Sequence, residues 1–139
     1  MFKKFKEVAI HRGVVAVLLL VLISAAGCGS TAKAEVKLSA TDDGRQIELR
    51  KGQPLVITLE GNPTTGYTWA AVELEEQILR QAGEVEFNPE SDLIGAPGVQ
   101  TLRFEAVAAG QTDLKLVYHR PWEEGVEPLK TFSVQVVVR

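Results

Sequence analysis

The sequence Asn62-Pro63-Thr64-Thr65-Gly66-Tyr67, with Trp69 two residues later, lies between two runs in which apolar and polar residues alternate. Its composition restricts the backbone, because Asn62 precedes a proline, Pro63 has a fixed φ, the threonines are stiff at χ1 and Gly66 can adopt a positive φ. A loop that loses little freedom on binding enters a cleft at a smaller entropic cost than a flexible loop. The stretch therefore suits an inhibitor or a binding module, although the same residues are ordinary in a turn between two strands.

Two further stretches follow, each at the end of an apparent strand: Gly95-Ala96-Pro97-Gly98 and Arg120-Pro121-Trp122-Glu123. In this order, the three stretches resemble the loops of the chagasin family of cysteine peptidase inhibitors. That family has an Asn-Pro-Thr-Thr-Gly-Tyr/Phe loop, a Gly-x-Gly/Pro-Gly loop and an Arg-Pro-Trp/Phe loop on a small immunoglobulin-like β-sandwich. One such motif alone is a weak signal, whereas three in register are a specific one.

The resemblance implies reversible inhibition of papain-like cysteine peptidases by obstruction of the active-site cleft. Residues 62–67 are expected to enter the cleft, with the two threonines near the peptidase's catalytic cysteine and histidine. Residues 95–98 are expected to offer backbone to one wall, while Arg120 and Trp122 pack against the other. The resemblance also implies that the loop crosses the cleft in a geometry different from that of a substrate. We therefore expect that no peptide bond of the inhibitor is cut and that the complex dissociates slowly.

Two of these assignments have alternatives. An exposed tryptophan beside a proline suits an interface anchor, but the Trp122 ring could instead fold back on the sandwich. Arg120 could simply pair with a surface acid.

The rest of this region alternates apolar and polar residues between frequent turns, which predicts an all-β sandwich of seven to eight short strands. Trp69 is expected in the core, because sandwiches commonly bury a tryptophan on a middle strand. Tyr118 is predicted to face inward, and Val56 and Val117 fall on the outward side of their strands. Residues 73–81 have apolar side chains at i, i+4 and i+5, which predicts a short helical or irregular crossover.

The start of the chain has the pattern of an export signal. Four basic residues lie among the first twelve, residues 14–23 are apolar, and Ala25-Ala26-Gly27-Cys28 brings small residues before a cysteine. The pattern resembles a bacterial lipoprotein signal, although Ala25 stands where leucine is commoner. A plain secretory signal and an uncleaved helix are the alternatives, but the apolar core is shorter than the roughly 20 residues that a spanning helix needs.

This pattern divides the chain into a signal peptide over residues 1–27, a tether over residues 28–35 and the inhibitor domain over residues 36–139. Cleavage before Cys28 and lipidation of its thiol would place the protein in the bacterial cell envelope on a lipid anchor. Without lipidation, we expect secretion.

The composition of the chain excludes several functions. It has 139 residues with 18 Asp and Glu against 15 Lys and Arg, and four of the basic residues belong to the signal. The exported part is therefore acidic, which argues against nucleic-acid binding, since that depends on Lys and Arg neutralising phosphates. Cys28 is the only cysteine, so the domain has no internal disulfide and depends on packing; pairing of two unlipidated chains through this thiol is the alternative.

Catalytic and metal-binding residues are also too few. His119 is the only histidine after the signal, and no nucleophile-elbow pattern joins it to a serine such as Ser91 or Ser133. Zinc needs three or four nitrogen or sulfur ligands, and adjacent carboxylates such as Asp42-Asp43 are typical of a solvated surface, with casual calcium binding as the alternative.

We therefore expect no enzyme, no cofactor and no metal site. The expected protein is a monomer whose partners are a papain-like cysteine peptidase and, through Cys28, a membrane. The alternative function is a non-inhibitory envelope lipoprotein that uses the same sandwich for adhesion or assembly, since fold alone does not determine function.

Overall fold

The computed structural model describes residues 33–139, which form two β-sheets packed face to face. The predicted signal peptide and Cys28 lie outside the described residues. Two short 3-10 turns, Ala40–Asp42 and Pro63–Thr65, lie between strands. The nine strands are β1 (Val36–Leu38), β2 (Gln46–Leu49), β3 (Pro54–Gly61), β4 (Thr68–Glu73), β5 (Leu79–Gln81), β6 (Glu86–Pro89), β7 (Gly98–Ala106), β8 (Gly110–His119) and β9 (Lys130–Val138).

The predicted all-β sandwich is confirmed, with nine strands within residues 33–139 in place of seven to eight. The first sheet has the order β1-β3-β7-β5, and β6 pairs with the other half of β7; the second sheet has the order β2-β9-β8-β4. β1 and β2 run parallel to β3 and β9, whereas the long pairs β3–β7 and β8–β9 are antiparallel. These long strands span the sandwich and give it two distinct ends.

The core lies between the sheets and comes from alternate residues of the strands, as the period of two predicts. Trp69 is buried, with 4% of its surface exposed, and Leu55, Ile57, Leu114 and Leu116 are fully buried. No side-chain nitrogen or oxygen that is buried within residues 33–139 lacks a hydrogen-bond partner. The buried polar side chains of this region are therefore all paired, and the core is held without a disulfide.

The structure corrects the prediction for residues 73–81 in part: residues 74–78 are an irregular crossover between the sheets, but the ends of this stretch belong to strands. β4 extends to Glu73, and Leu79–Gln81 is a strand that pairs with β7, with Leu79 opposite Ala106. Leu79 is fully buried. Pairing with a long neighbouring strand and burial of this leucine outweigh the weak helical spacing, because local propensity yields to tertiary packing.

Two valines that were predicted to face outward are in fact buried. Val56 lies in register between Lys37 and Arg103. The long aliphatic stems of these neighbours can cover apolar surface while their charged ends stay in water. Val117 is also buried, between Ala70 and Thr131.

Among residues 33–139, no helix has the length and hydropathy that crossing a membrane requires.

Candidate functional site

The three predicted loops lie at the same end of the sandwich. β3 ends at Gly61, which pairs with Gly98 at the start of β7, and β4 begins at Thr68, which pairs with His119 at the end of β8. The connections that leave this end are residues 62–67, 90–97 and 120–129, which we call the first, second and third loops. Strand direction therefore brings together three segments that are far apart in the sequence.

The first loop is a hydrogen-bonded turn and not an extended strand connection. The Asn62 carboxamide caps the 3-10 turn, because its Oδ1 accepts from the backbone N–H of Thr64 at 3.2 Å. The Asn62 carbonyl accepts from the Thr65 N–H at 3.1 Å and from its hydroxyl at 2.6 Å. Gly66 ends the turn in the left-handed region, with φ +86°, and its N–H donates to the Pro63 carbonyl. The loop is thus ordered by its own contacts.

Two side chains bond the first loop to its neighbours. Asn62 donates through Nδ2 to the carbonyl of Gly95 in the second loop, at 3.1 Å. Arg120 of the third loop donates through Nε to the carbonyl of Thr65, also at 3.1 Å. The second and third loops therefore flank the first, and the three form one continuous surface.

Besides its bond to the Thr65 carbonyl, the Arg120 side chain contacts Tyr67 and Glu123. Its guanidinium carbon lies 4.5 Å from the centre of the Tyr67 ring, a cation–π distance. Its Nη1 donates to Glu123 at 3.0 Å. The hydrogen bond with Glu123 raises the pKa of Arg120 above its ordinary value. The alternative of pairing with a surface acid is thus realised, within an arrangement that also supports the first loop.

Trp122 is exposed over 66% of its surface but packs against the first loop. A Cβ atom built on Gly66 would lie 2.3 Å from Cη2 of the Trp122 ring, far inside van der Waals contact. Only a glycine at position 66 leaves room for the ring there. The ring is therefore neither isolated in solvent nor folded back on the sheets, and it extends the surface of the first loop.

The structure also shows exposed apolar residues that the sequence analysis did not select. Leu93 and Ile94 of the second loop are largely or fully exposed and directly precede Gly95. Val126 and Leu129 of the third loop are exposed as well. The sequence contains a signal for these residues, because two adjacent apolar residues follow the polar run Asn88-Pro89-Glu90-Ser91-Asp92. A contiguous exposed apolar patch marks an interaction surface.

Buried polar contacts join the two sheets beneath the loops. Trp69 donates through Nε1 to the carbonyl of Glu60 at 2.9 Å. Gln100 of β7 is buried, accepts from the Trp69 N–H at 3.2 Å and donates to the Thr68 hydroxyl at 3.1 Å. Because buried polar groups are costly to leave unpaired, these bonds fix the spacing of the sheets at the loop end.

Nothing in the described part of the chain is arranged as a metal site. Among residues 33–139, no group of three or more His, Cys, Asp and Glu side chains is placed to hold an ion.

Comparison with known proteins agrees with this geometry. The model of the family described as chagasin family peptidase inhibitor I42 matches residues 48–136, which include all three loops. The chain belongs to this family. Amoebiasin-2 of Entamoeba histolytica is 30% identical over 113 residues, which cover 81% of this chain and 92% of the relative. Chagasin of Trypanosoma cruzi is 28% identical over 102 residues, which cover 70% and 93%.

Solved structures of similar proteins show the same fold. The cysteine protease inhibitor EhICP2 from Entamoeba histolytica has a TM-score of 0.68 and 28% identity, with 77% of this chain and 97% of that chain covered. Leishmania mexicana ICP has a TM-score of 0.51 and 27% identity, with 78% and 93% covered. The chagasin-type sandwich is therefore the fold of this domain.

Proposed function

We propose that this chain is a reversible inhibitor of papain-like cysteine peptidases that blocks the active-site cleft with its three loops. The proposal rests on the hydrogen bonds between the loops. The second loop bonds to Asn62 of the first loop, and the third loop bonds to Thr65. The relatives support the target class, because EhICP2 is a cysteine protease inhibitor by its own description. Neither the family match nor these relatives favour the alternative of an adhesion or assembly module.

The first loop acts as a rigid plug. Its turn is closed by internal hydrogen bonds before any partner binds, so little conformational entropy remains to be lost on entering a cleft. Thr64 and Thr65 are exposed at its tip, in position to meet the catalytic residues of the peptidase. Trp122 on one side and the exposed Leu93 and Ile94 on the other supply apolar contact to the walls of the cleft.

The same bonds protect three carbonyls of the plug from attack by a peptidase. The carbonyls of Asn62, Pro63 and Thr65 already accept hydrogen bonds from within the inhibitor. A scissile carbonyl must instead turn its oxygen toward the donors that stabilise the negative charge of the transition state. Because these three oxygens are occupied, the loop fills the cleft without offering them for attack.

Titration of papain with the purified domain tests the proposal. We expect inhibition at one inhibitor per active site, full recovery of papain activity after dissociation, and little effect on serine peptidases or metallopeptidases. Reductant should not weaken the inhibitor, because Cys28 is the only cysteine. Full papain activity in the presence of excess folded domain would contradict the proposal.

We also propose that the domain is displayed in the bacterial cell envelope by a lipid on Cys28, after removal of residues 1–27. The position of Val36 supports this arrangement. Val36 pairs with Leu55 near the start of β3, whereas the first loop follows the end of this eight-residue strand. Asn62 follows Leu55 by seven residues, so at about 3.3 Å per residue Val36 and the start of the first loop lie roughly 23 Å apart.

The preceding residues are held at the same end as Val36. The Ala34 carbonyl accepts from Nε2 of Gln53 at 2.8 Å, and Glu35 lies 3.9 Å from Arg103. An attachment through the N-terminus would therefore leave the loops facing away from the membrane. The domain could then bind a peptidase while anchored.

Membrane release and surface coupling test this placement. Cys28→Ala should free the protein from the membrane fraction, because two or more acyl chains give stable anchoring and this variant cannot carry them. Unchanged fractionation, or residues 1–27 still present by mass spectrometry, would contradict lipidation.

For the orientation, residues 28–139 can be coupled through the Cys28 thiol to maleimide-bearing vesicles, with unreacted maleimide quenched before papain is added. We expect the coupled domain to inhibit as the free domain does. The matched control carries Cys28→Ala and Glu124→Cys, which moves the attachment to an exposed position in the third loop. This control should lose most of its inhibition on vesicles only; equal inhibition by the two attachments would contradict the proposed orientation.

A further inference from the structure

Tyr118 connects the core of the second sheet to the start of the first loop. It lies one residue before the end of β8 and is buried, with 7% of its surface exposed. Its ring lies between the rings of Tyr67 and Trp69, with centroids 5.3 Å from each. Its hydroxyl oxygen accepts from the backbone N–H of Asn62 at 2.9 Å. The position of Asn62 is thus fixed to a packed aromatic side chain of the opposite sheet.

Asn62 takes part in several of the bonds that hold the loop surface together. Its Oδ1 caps the turn at Thr64, its carbonyl accepts from Thr65, and its Nδ2 donates to the Gly95 carbonyl of the second loop. A shift of the Asn62 backbone would disturb all of these bonds together. One hydrogen bond to Tyr118 therefore bears on the order of two loops.

We propose that Tyr118 is a positioning residue for peptidase binding, whose hydroxyl holds Asn62 and thereby keeps the first and second loops in the arrangement that fits the cleft. The proposal rests on the inhibitory function proposed above. Tyr118 is buried beneath the loops, so it acts through Asn62 and not by touching the peptidase.

The surroundings of the Tyr118 hydroxyl allow its positioning function to be distinguished from a contribution to core stability. A surface hollow of about 310 Å³ is lined by Tyr118, Asn62 and Gly98, among others. If Phe replaced Tyr118, the ring packing would remain and a water molecule from this hollow could pair with the Asn62 N–H. Such a water molecule is not attached to the core. The substitution should therefore lower the thermal midpoint by only a few degrees and should increase the motion of the first loop.

The chain offers a matched control at the other end of β8. The buried hydroxyl of Thr112 accepts from the backbone N–H of Glu75 at 3.0 Å, which is the same kind of bond. Thr112 lies six residues before Tyr118 along the strand, about 20 Å at roughly 3.3 Å per residue. Thr112→Val removes this hydroxyl with little change of shape, as Tyr118→Phe removes the other, but far from the loops.

The experiment measures three quantities for the wild-type domain, Tyr118→Phe and Thr112→Val. These are the thermal midpoint, the inhibition constant for papain, and the amide hydrogen exchange of Thr65 and Gly66 in the free domain. Both variants should lose a few degrees of thermal midpoint, because Tyr118→Phe loses the bond to Asn62 and Thr112→Val loses the bonds to the Glu75 N–H and the Asp113 carbonyl. Only Tyr118→Phe should inhibit about fivefold more weakly, the loss expected for one such bond.

Hydrogen exchange reports loop order without a peptidase. Exchange at Thr65 and Gly66 should become at least about fivefold faster in Tyr118→Phe and stay unchanged in Thr112→Val. The proposal fails if Tyr118→Phe leaves exchange and inhibition unchanged, or if Thr112→Val changes both equally. If the wild-type domain does not inhibit papain at all, the inhibitory function fails, while exchange still decides whether Tyr118 orders the loop.

Discussion

Replacement of Trp69 by alanine is expected to destabilise the domain strongly and to unfold much of it at physiological temperature. The side chain is buried in the core and its ring packs against Tyr118. Truncation of a buried tryptophan costs about 3 to 5 kcal/mol. Here it also removes the hydrogen bond from Nε1 to the Glu60 carbonyl. Since domains of this size are stable by about 5 to 15 kcal/mol in total, much of the stability should be lost.

Thermal and urea denaturation measure this loss. We expect the thermal midpoint of Trp69→Ala to fall by at least about 10 °C. Trp122→Ala removes the same side chain from an exposed position, so its midpoint should stay close to that of the wild type. Trp69→Phe, which keeps an aromatic ring but loses the Nε1 donor, should fall between them. A stable Trp69→Ala beside an unstable Trp122→Ala would mean that the two tryptophans have the opposite functions.

The different positions of these two tryptophans could be predicted from the sequence. Trp69 belongs to a run with a period of two, so its neighbours already indicate which face is buried. Trp122 follows Pro121, which cannot donate to a strand ladder and therefore places it in a connection. Both inferences need only local pattern, and both agree with the observed exposure.

Other parts of the fold could not be predicted in this way. The strand Leu79–Gln81 depends on pairing with β7, which lies more than twenty positions along the chain. Nothing in its own residues distinguishes it from an irregular crossover. Burial of Val56 likewise depends on the neighbours that the register places beside it, Lys37 and Arg103. These features follow from contacts between distant segments.

At the loop end, too, some features follow from the sequence and others only from contacts between distant segments. The three motifs named the residues of the loops, but not the bonds between them, because a motif carries no distances. The Asn62–Gly95 and Arg120–Thr65 bonds join residues 33 and 55 positions apart. Tyr118 was predicted to face inward and does so, yet only the structure shows that its hydroxyl reaches Asn62.

Gly66→Val is expected to weaken inhibition more than any other single change in the loops, by about 100-fold or more. Two effects combine. Valine at φ +86° is strained, which costs about 1 to 3 kcal/mol. In addition, any Cβ at this position overlaps the Trp122 ring at 2.3 Å, so the ring must move from its site. Loss of an interface tryptophan costs about 2 kcal/mol or more, and each 1.4 kcal/mol is about tenfold in affinity.

Inhibition constants for a small series separate the two effects. Trp122→Ala should lose about thirtyfold in affinity, and Thr65→Ala less, since it leaves the backbone plug in place. Gly83→Val is the matched control for strain, because Gly83 has φ +81° with nothing within 4 Å of a Cβ and lies outside the three loops. It should cost stability and leave inhibition unchanged.

The double variant Gly66→Ala/Trp122→Ala tests the contact itself. Once Trp122 is gone, the Cβ at position 66 has no ring to displace, so Gly66→Ala should cost less affinity in this background than in the wild type. Such non-additivity is expected of residues in direct contact. Additive losses would show that Gly66 acts only through its backbone conformation. The first and third loops would then contribute independently to binding, and the packing of Trp122 on Gly66 would have no effect on affinity.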